Sequence, residues 1–323
     1  MASFLCSTNF FLLLLLVSAV PIAYVIHSET SGRSTHVYEF HSNGWLRECT
    51  KWDDVNDRFL VSFMEGGLGV VPVKEDGQVL EEVPVVDNAG LGKNSSLGIF
   101  IDRPRNRVLV AIADVFGSKY SAVAAYDLTT WSRLFLTQLS GSEGEKGFAD
   151  DVTVDTEGNS YITDTKGNKI WKVGLNGELL NTIGNPLFSA KEWYSNLVGL
   201  NGIVYHPNGY LLVIHTFSGT LLKVEIGKGD EVKVVNVTGG SLRMGDGLVL
   251  LSPTQIVVAA NPSRLVESSD DWETARIVSK FSGASHRLVT AATVKDGKVY
   301  LNHMFGLGYP KRKHVLVEAV FSS

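Results

Sequence analysis

The feature that most constrains the fold is a two-strand frame that recurs along the chain. In its clearest copy, which begins at Asp150, two short apolar runs flank an Asp-Thr-Glu-Gly-Asn turn, and a third run covers Lys169–Val173. The copies are spaced 44 to 53 residues apart, and they begin at Glu48, Leu97, Asp150, Asn201, Asp246 and Thr290. Short β-type runs repeated at such a spacing are typical of β-propeller blades. The sequence therefore predicts an all-β fold, a six-bladed β-propeller.

The two ends of the repeat array predict how the ring closes. His36–His41 resembles an isolated strand ahead of the first copy, and only one clear strand, His314–Phe321, follows Leu301. Pairing these strands would complete the last blade and remove the open sheet edges that invite aggregation. We therefore expect residues 36–323 to form one propeller that is closed by its N-terminal strand.

Residues 1–26 have a different character. Phe10 to Ile26 is an apolar run, and Val17-Ser18-Ala19 supplies the small residues of a signal-peptidase site, so a cleaved signal peptide is favoured. The run also just reaches the length needed to span a bilayer, which leaves an N-terminal membrane anchor as the alternative. Both interpretations place the folded part in the secretory pathway, as a secreted, vacuolar or ER-lumenal protein. Contact with a membrane is expected only through the N-terminal segment, if that segment is not cleaved.

Charge, cysteine content and sequons add further expectations. The net charge is −5 and basic residues do not cluster with aromatics, so nucleic acid is not an expected partner. Asn94 and Asn236 begin N-glycosylation sequons, each expected in a loop between strands. Cys49 is the one cysteine beyond the N-terminal segment, so we expect no internal disulfide and a Cys49 side chain that packs as a small hydrophobe.

The six residues that begin the copies predict a metal centre. The first strand of a propeller blade lies against the central channel, so equivalent positions should form a ring around the axis. Carboxylates that share such a ring repel one another unless a cation compensates, and oxygen donors favour Ca²⁺ over Zn²⁺. The sequence therefore predicts one Ca²⁺ ion in the central channel, with four ligands: Glu48, Asp150, Asn201 and Asp246. Taken singly, each of these residues could instead be a turn former that bonds its own backbone.

A second set of polar side chains is expected at the same face, because the second strand of each blade runs antiparallel to the first. The equivalent position in each copy gives Ser62, Ala111, Asp164, His215, Ala260 and His303. Three of these residues, Asp164, His215 and His303, are candidates to line a substrate pocket and to shuttle protons. A satisfied structural role is the alternative for each of them.

The ring motifs also resemble those of a known group. Glu48, Asp150-Asp151, Asn201-Gly202-Ile203 and Asp246-Gly247-Leu248 are similar to the signature of the senescence marker protein/gluconolactonase-like superfamily of six-bladed, calcium-dependent lactonases and phosphotriesterases, which is related to paraoxonase and strictosidine synthase. The resemblance implies that Glu48, Asn201 and Asp246 hold calcium and that Asp246 is the catalytic base or nucleophile. Asp150 departs from the pattern, since these enzymes usually carry Asn there.

The function implied by this resemblance is metal-dependent hydrolysis of a small lactone or ester by a monomeric enzyme. Two alternatives from other classes stay open. One is a condensing enzyme that resembles strictosidine synthase, in which the pocket rather than a metal matters. The other is a non-catalytic, calcium-binding propeller that serves as a scaffold, because a fold alone does not define a function.

Overall fold

A computed structural model of the chain describes residues 8–30, 35–73, 77–87, 92–141, 144–227 and 229–321. The chain divides into two units, Met1–His36 and Val37–Ser323. The first unit contains helix α1 (Thr8–Thr30), which overlaps the predicted signal or anchor segment, while residues 1–7 of that segment lie outside the described residues. Within the described ranges, no helix combines the length and the apolar character required to cross a bilayer.

The second unit is built from strands and short 3-10 turns. In chain order its strands are β1 (Val37–Ser42), β2 (Arg47–Asp53), β3 (Arg58–Phe63), β4 (Leu68–Pro72), β5 (Leu80–Glu81), β6 (Val83–Val86), β7 (Ser95–Asp102), β8 (Arg107–Ala113), β9 (Ser121–Asp127), β10 (Arg133–Ser140), β11 (Ala149–Val154), β12 (Ser160–Asp164), β13 (Lys169–Val173), β14 (Leu179–Gly184), β15 (Leu200–His206), β16 (Tyr210–His215), β17 (Thr220–Glu225), β18 (Val232–Thr238), β19 (Leu248–Ser252), β20 (Gln255–Val258), β21 (Ser263–Glu267), β22 (Thr274–Phe281), β23 (Val289–Lys295), β24 (Lys298–His303) and β25 (Arg312–Ala319). The 3-10 turns cover Arg103–Arg105, Pro186–Phe188, Trp193–Asn196 and Ser285–Arg287.

Strand pairing groups these elements into four-stranded antiparallel blades. Blade 1 contains β2, β3, β4 and β6, blade 2 contains β7–β10, blade 3 contains β11–β14, blade 4 contains β15–β18, and blade 5 contains β19–β22. Blade 6 consists of β23, β24, β25 and β1, and the two-residue strand β5 pairs in parallel with β1. A parallel pairing of β18 with β22 also joins blades 4 and 5 into one eight-stranded sheet. The pairing of β1 with β25 is antiparallel and runs from Val37 opposite Val317 to Ser42 opposite Arg312. The fold is thus an all-β propeller, and the predicted closure by the N-terminal strand is confirmed.

The hydrophobic core lies between the blades. Cys49 and Leu60 of blade 1 pack with Ile99 of blade 2, while Phe40 of blade 6 packs with Phe59 of blade 1. Equivalent clusters lie between blades 2 and 3, 3 and 4, 4 and 5, and 5 and 6. Each blade therefore shares an apolar interface with both neighbours, which makes the array a closed ring. Cys49 is a free, buried thiol, as expected.

Buried ion pairs reinforce these interfaces at the ends of the first strands. Asp102, at the end of β7, accepts a hydrogen bond from Arg107 Nε at 2.8 Å, and both side chains are 3% exposed. The remaining guanidinium nitrogens of Arg107 donate to the carbonyl oxygens of Leu175 and Gly158, each at 2.7 Å, in the neighbouring blade. The same pair therefore ends a strand and ties two blades together.

The two sequons occupy different surroundings. Asn94 directly precedes β7, between blades 1 and 2, in agreement with the expected loop position. Asn236 lies inside β18, so the prediction of a loop at this residue was wrong. Val232 and Val235 of β18 are buried, whereas Asn236 is exposed and pairs with Thr274 of β22. Glycosylation at either residue stays a prediction.

Candidate metal centre at the propeller axis

A repeated β-bulge positions the side chains of this site. In blade 1, Glu48 and Cys49 together oppose the single residue Ser62, and in blade 3, Asp150 and Asp151 together oppose Thr163. The pairs Leu97–Gly98 and Asn201–Gly202 occupy the same place in blades 2 and 4. A bulge re-aims the neighbouring side chains. In blades 1 to 4, the residue that begins the copy of the sequence repeat is therefore the first residue of a bulge.

The bulges bring acidic side chains from three blades together. Glu48 of blade 1 interacts electrostatically with Asp246 of blade 5 and with Asp150 and Asp151 of blade 3. Asp150 also interacts with Asp246, and the Asp246 carboxylate is hydrogen-bonded to the side chain of Asn201. The four predicted ligands are thus close enough to influence one another electrostatically or by a hydrogen bond. We call Glu48, Asp150, Asp151 and Asp246 the acid cluster.

Asp151 is a member of this cluster that the sequence analysis missed. Consecutive residues of a regular strand point to opposite faces, so Asp150 and Asp151 would not be expected to share a site. The bulge removes that alternation. Two adjacent acids at the start of one repeat copy were the available signal.

Burial and mutual repulsion raise the pKa values of the acid cluster. Burial is the larger cause of the raised pKa of Glu48 and of Asp150, and the neighbouring carboxylates raise both pKa values further. Burial, followed by the charge of Asp151, raises the pKa of Asp246 to about 8. The Lys51 ammonium opposes this effect by lowering the pKa of Glu48 and of Asp151. One ammonium facing four carboxyl groups leaves the centre short of positive charge.

One oxygen of the cluster lacks any partner. Glu48 Oε2 is buried and makes no hydrogen bond, although the residue as a whole is only half-buried. A buried polar atom without a partner is costly, so it calls for a proton, a water molecule or a cation. Asp246 is also half-buried, whereas Asp150 and Asn201 are buried, so the cluster retains contact with solvent.

The donor chemistry of these residues fits a hard cation. Carboxylate and amide oxygens are the ligands that Ca²⁺ prefers. Because an amide donates to a carboxylate through its nitrogen, the hydrogen bond to Asp246 does not use the side-chain Oδ1 of Asn201. Among the described residues, no three His, Cys, Asp or Glu side chains form a group that could hold a metal ion. Calcium binding would therefore require the carboxylates to draw closer together than they are.

Glycines allow the first strands of neighbouring blades to lie close to one another. A Cβ atom on Gly202 would lie 2.3 Å from the carbonyl oxygen of Asp246, and one on Gly98 would lie 2.3 Å from Asp151 Oδ1. Any larger residue at either position would push two blades apart at the axis. The two remaining ring residues are not ligand-like: Leu97 is buried, and the Thr290 hydroxyl donates to the Glu48 carbonyl oxygen.

The second set of predicted polar residues has mainly backbone partners. Asp164 Oδ1 accepts hydrogen bonds from the backbone N–H groups of Phe148, Lys166 and Gly167 at 2.8 to 3.1 Å, so it caps a turn. His303 lies between the carbonyl oxygen of Leu301 and the N–H of Ala284.

His215 also has a backbone partner, because the N–H of Ser218 donates to its Nδ1 at 3.4 Å, and like Asp164 it has one buried atom without a hydrogen-bond partner. Its Nε2 is buried and has no hydrogen-bond partner, and burial lowers its pKa. Substrate binding by Asp164, His215 and His303 stays a prediction.

The register of this second set differs from the predicted one. Ser62 and Ala111 oppose the bulges, whereas Asp164 and His215 are paired with the residues before the bulges, Ala149 and Leu200. The predicted equivalence of all these positions was therefore wrong. The cause is turn length, since the turns of blades 1 and 2 are one residue longer than that of blade 4 between paired ends.

A cavity of about 330 Å³ lies along the inner strands beside the acid cluster. Lys51 and Asp151 line it together with apolar side chains such as Phe100 and Leu250. The only charged groups in its lining thus also belong to, or neighbour, the acid cluster.

Comparison with known proteins supports the fold. No protein-family model and no curated sequence matches the chain. Among solved structures, a protein of unknown function from Bacteroides caccae has a TM-score of 0.58 and 14% identity, covering 78% of this chain and 87% of that chain. The match to a glucose dehydrogenase has a TM-score of 0.57 and 13% identity, and it covers 89% of this chain and 99% of that chain. The match to a streptogramin B lyase has a TM-score of 0.53 and 11% identity, and it covers 87% of this chain and 98% of that chain. The last two are β-propeller proteins, so the likeness supports a propeller but not the particular superfamily named above.

Proposed function

We propose that this chain is a calcium-dependent hydrolase that acts on a small lactone or ester at the acid cluster. The observation that carries the proposal is the mutual electrostatic effect of Glu48, Asp150 and Asp246, which come from three blades, have raised pKa values and include one partnerless carboxylate oxygen. Lys51 alone does not balance this charge, so a divalent cation would relieve both the repulsion and the desolvation.

Each residue would have a distinct task. Glu48, Asp150, Asn201 and Asp246 would hold the ion, which when bound supplies polarisation of the substrate carbonyl and stabilisation of the charge that develops on its oxygen. The hydrogen bond from Asn201 fixes the orientation of the Asp246 carboxylate. Asp246 is therefore placed to take a proton from water or to attack the acyl carbon itself, the two roles of an active-site carboxylate.

The fold is compatible with catalysis. Two of the structural neighbours are, by name, a lyase and a dehydrogenase, which supports enzymatic chemistry on a propeller of this kind. A condensing enzyme would make no use of the acid cluster, so its presence favours the hydrolase. We further propose that the protein acts as a monomer within the secretory pathway.

Calorimetric titration with calcium tests the metal centre. The parent protein should bind one equivalent of Ca²⁺, and Glu48→Gln and Asp246→Asn should each weaken binding at least about tenfold, because each removes one charge while keeping the shape. Asp296→Asn makes the same chemical change at a side chain that is 74% exposed in a distant turn, and it should bind like the parent. Unchanged affinity in the two cluster variants would show that the cluster is structural.

A panel of lactones and esters then tests the hydrolase. Turnover that requires calcium and is lost in Asp246→Asn supports the proposal. Calcium binding without turnover of any member of the panel would favour the non-catalytic scaffold. Turnover that survives removal of calcium would overturn the role of the metal.

A further inference from the structure

Several large apolar residues lie two positions before the residues that begin the repeat copies. Counting two residues back from each ring position gives six residues: Leu46, Ser95, Phe148, Gly199, Met244 and Leu288. Four of the six are large and apolar, and all four are at least partly exposed. Two residues of chain span at most about 7 Å, so these side chains begin close to the ring residues.

Backbone contacts connect the segments that carry three of these residues and a fourth exposed apolar residue, Phe305. Leu46 is joined to Phe305 by an isolated β-bridge, and the N–H of Met304 donates to the Leu288 carbonyl oxygen at 2.9 Å. The N–H of Gly247 donates to the Thr290 carbonyl oxygen at 2.8 Å, which joins the segment carrying Met244 to the one carrying Leu288. Exposed apolar residues thus lie on connected segments that run from blade 5 through blade 6 to blade 1.

The backbone of two of these residues is strained. Met244 has a φ of 61° and Leu288 a φ of 52°, in the left-handed region that bulky side chains avoid. Their side chains are 55% and 40% exposed, so full burial in the core does not compensate for the strain. Strained residues that persist next to an active site suggest a functional cause, and here the feature they present to solvent is an apolar side chain.

We propose that Leu46, Met244, Leu288 and Phe305 form an apolar collar that binds the alkyl or aryl chain of the substrate. The substrate class is then an ester or lactone with an apolar chain rather than a polyhydroxylated sugar lactone. A sugar would bring hydroxyl groups that thioether, aliphatic and phenyl side chains cannot satisfy, whereas each methylene in contact with the collar adds affinity. This inference rests on the proposed hydrolase function.

A homologous series of γ-lactones, compared with gluconolactone, measures the preference. The kcat/KM of the parent should rise with chain length, by up to roughly fourfold per methylene, and should be lowest for gluconolactone. Met244→Asn and Leu288→Asn should flatten this dependence, chiefly by raising KM for the long-chain members about tenfold, because uniform binding is lost. Asparagine tolerates the left-handed backbone, so neither variant is expected to unfold.

The matched control is Val55→Asn, which makes a comparable change at a residue that is 67% exposed in the turn after β2. It should retain the chain-length dependence of the parent. A dependence that is equally steep in the parent and in both collar variants would overturn the collar, and so would a preference for gluconolactone.

Binding without chemistry separates the collar from the hydrolase. If the parent hydrolyses no lactone or ester, the proposed function fails, and calorimetry with 1-decanol decides the collar on its own. Binding of 1-decanol that weakens at least about fivefold in Met244→Asn, and not in Val55→Asn, supports the collar. Absent binding, or binding equal in all three proteins, overturns it.

Discussion

At the scale of single residues, the acid cluster contains two kinds of carboxylate. Asp151 Oδ1 accepts the N–H of Val152 at 2.9 Å, and its Oδ2 accepts the N–H of Ile203 in the next blade at 3.3 Å. Both oxygens are therefore engaged in holding the backbone, whereas Glu48 Oε2 is not engaged at all. Asp151 thus acts as a fixed negative charge beside the proposed ligands, and it contributes to the raised pKa of Asp246.

The raised pKa of Asp246 predicts how the stability of the metal-free protein depends on pH. An aspartate has a pKa of about 3.9 in an unfolded chain, and the folded value here is about 8. The folded state therefore binds more protons at Asp246 between these values, so the contribution of this carboxyl to stability is fully present below about pH 4 and is lost as the pH rises towards 8. Thermal unfolding in EDTA should show a falling Tm across this range, and a smaller fall for Asp246→Asn.

Calcium should reverse this trend. Metal ligands must be deprotonated, so added calcium should raise Tm more at pH 8 than at pH 5. If the Tm of the parent and the Tm of Asp246→Asn depend on pH in the same way in EDTA, the pKa assigned to Asp246 is wrong. An equal effect of calcium at both pH values would contradict the assigned ligands.

At the scale of elements, the strands could be predicted from the sequence but their irregularities could not. The run Lys169–Val173 became β13 with the predicted bounds, and Gly158, Gly209 and Gly297 lie in the hairpin turns of blades 3, 4 and 6. The alternation of apolar and polar residues indicates where a strand lies. A bulge adds one residue without changing composition, so the membership of Asp151 in the cluster was not visible.

Turn length limited the prediction in the same way. One additional residue in the turns of blades 1 and 2 shifts every later residue of the hairpin by one position, which is why Ser62 was aligned with Asp164. The four predicted ligands escaped this error because they lie ahead of the turn. The candidate site was therefore predictable for the first strand of each blade and unreliable for the second.

The buried pair Asp102–Arg107 gives a stability prediction at this scale. Asp102→Asn leaves the Arg107 guanidinium, 3% exposed, without its counter-charge, which should destabilise the fold by about 3 kcal/mol. The control is Asp54→Asn, because Asp54 also pairs with an arginine, Arg103, but is 71% exposed. This substitution should lower the free energy of unfolding by less than about 1 kcal/mol. Urea unfolding of the two variants measures the difference. Equal losses would mean that the interior pair does not tie blades 2 and 3 together.

At the scale of the whole propeller, the ring depends on one short strand. β1 supplies the outer strand of blade 6 and places Phe40 in the cluster between blades 6 and 1, where it stacks on His314 at 5.1 Å between ring centroids. Without β1, the edge of β25 would be open and that cluster would be exposed. Because each blade relies on both neighbours, loss at this one interface should weaken all six blades.

Two shortened chains test this dependence on β1. A chain that begins at Val37 retains β1, and its Tm should lie within about 2 °C of that of the longer protein. A chain that begins at Asn43 lacks β1, and its Tm should be at least about 10 °C lower. A loss of 1 kcal/mol corresponds to roughly 2–4 °C in a domain of this size. The open edge should also make the shorter chain prone to aggregate. Phe40→Ala, which removes one side chain of β1 but keeps its backbone pairing, should lie between the two because a large core truncation costs about 3–5 kcal/mol. Scanning calorimetry with light scattering measures all three proteins, and an unchanged Tm in the chain that begins at Asn43 would show that the ring is stable without its closing strand.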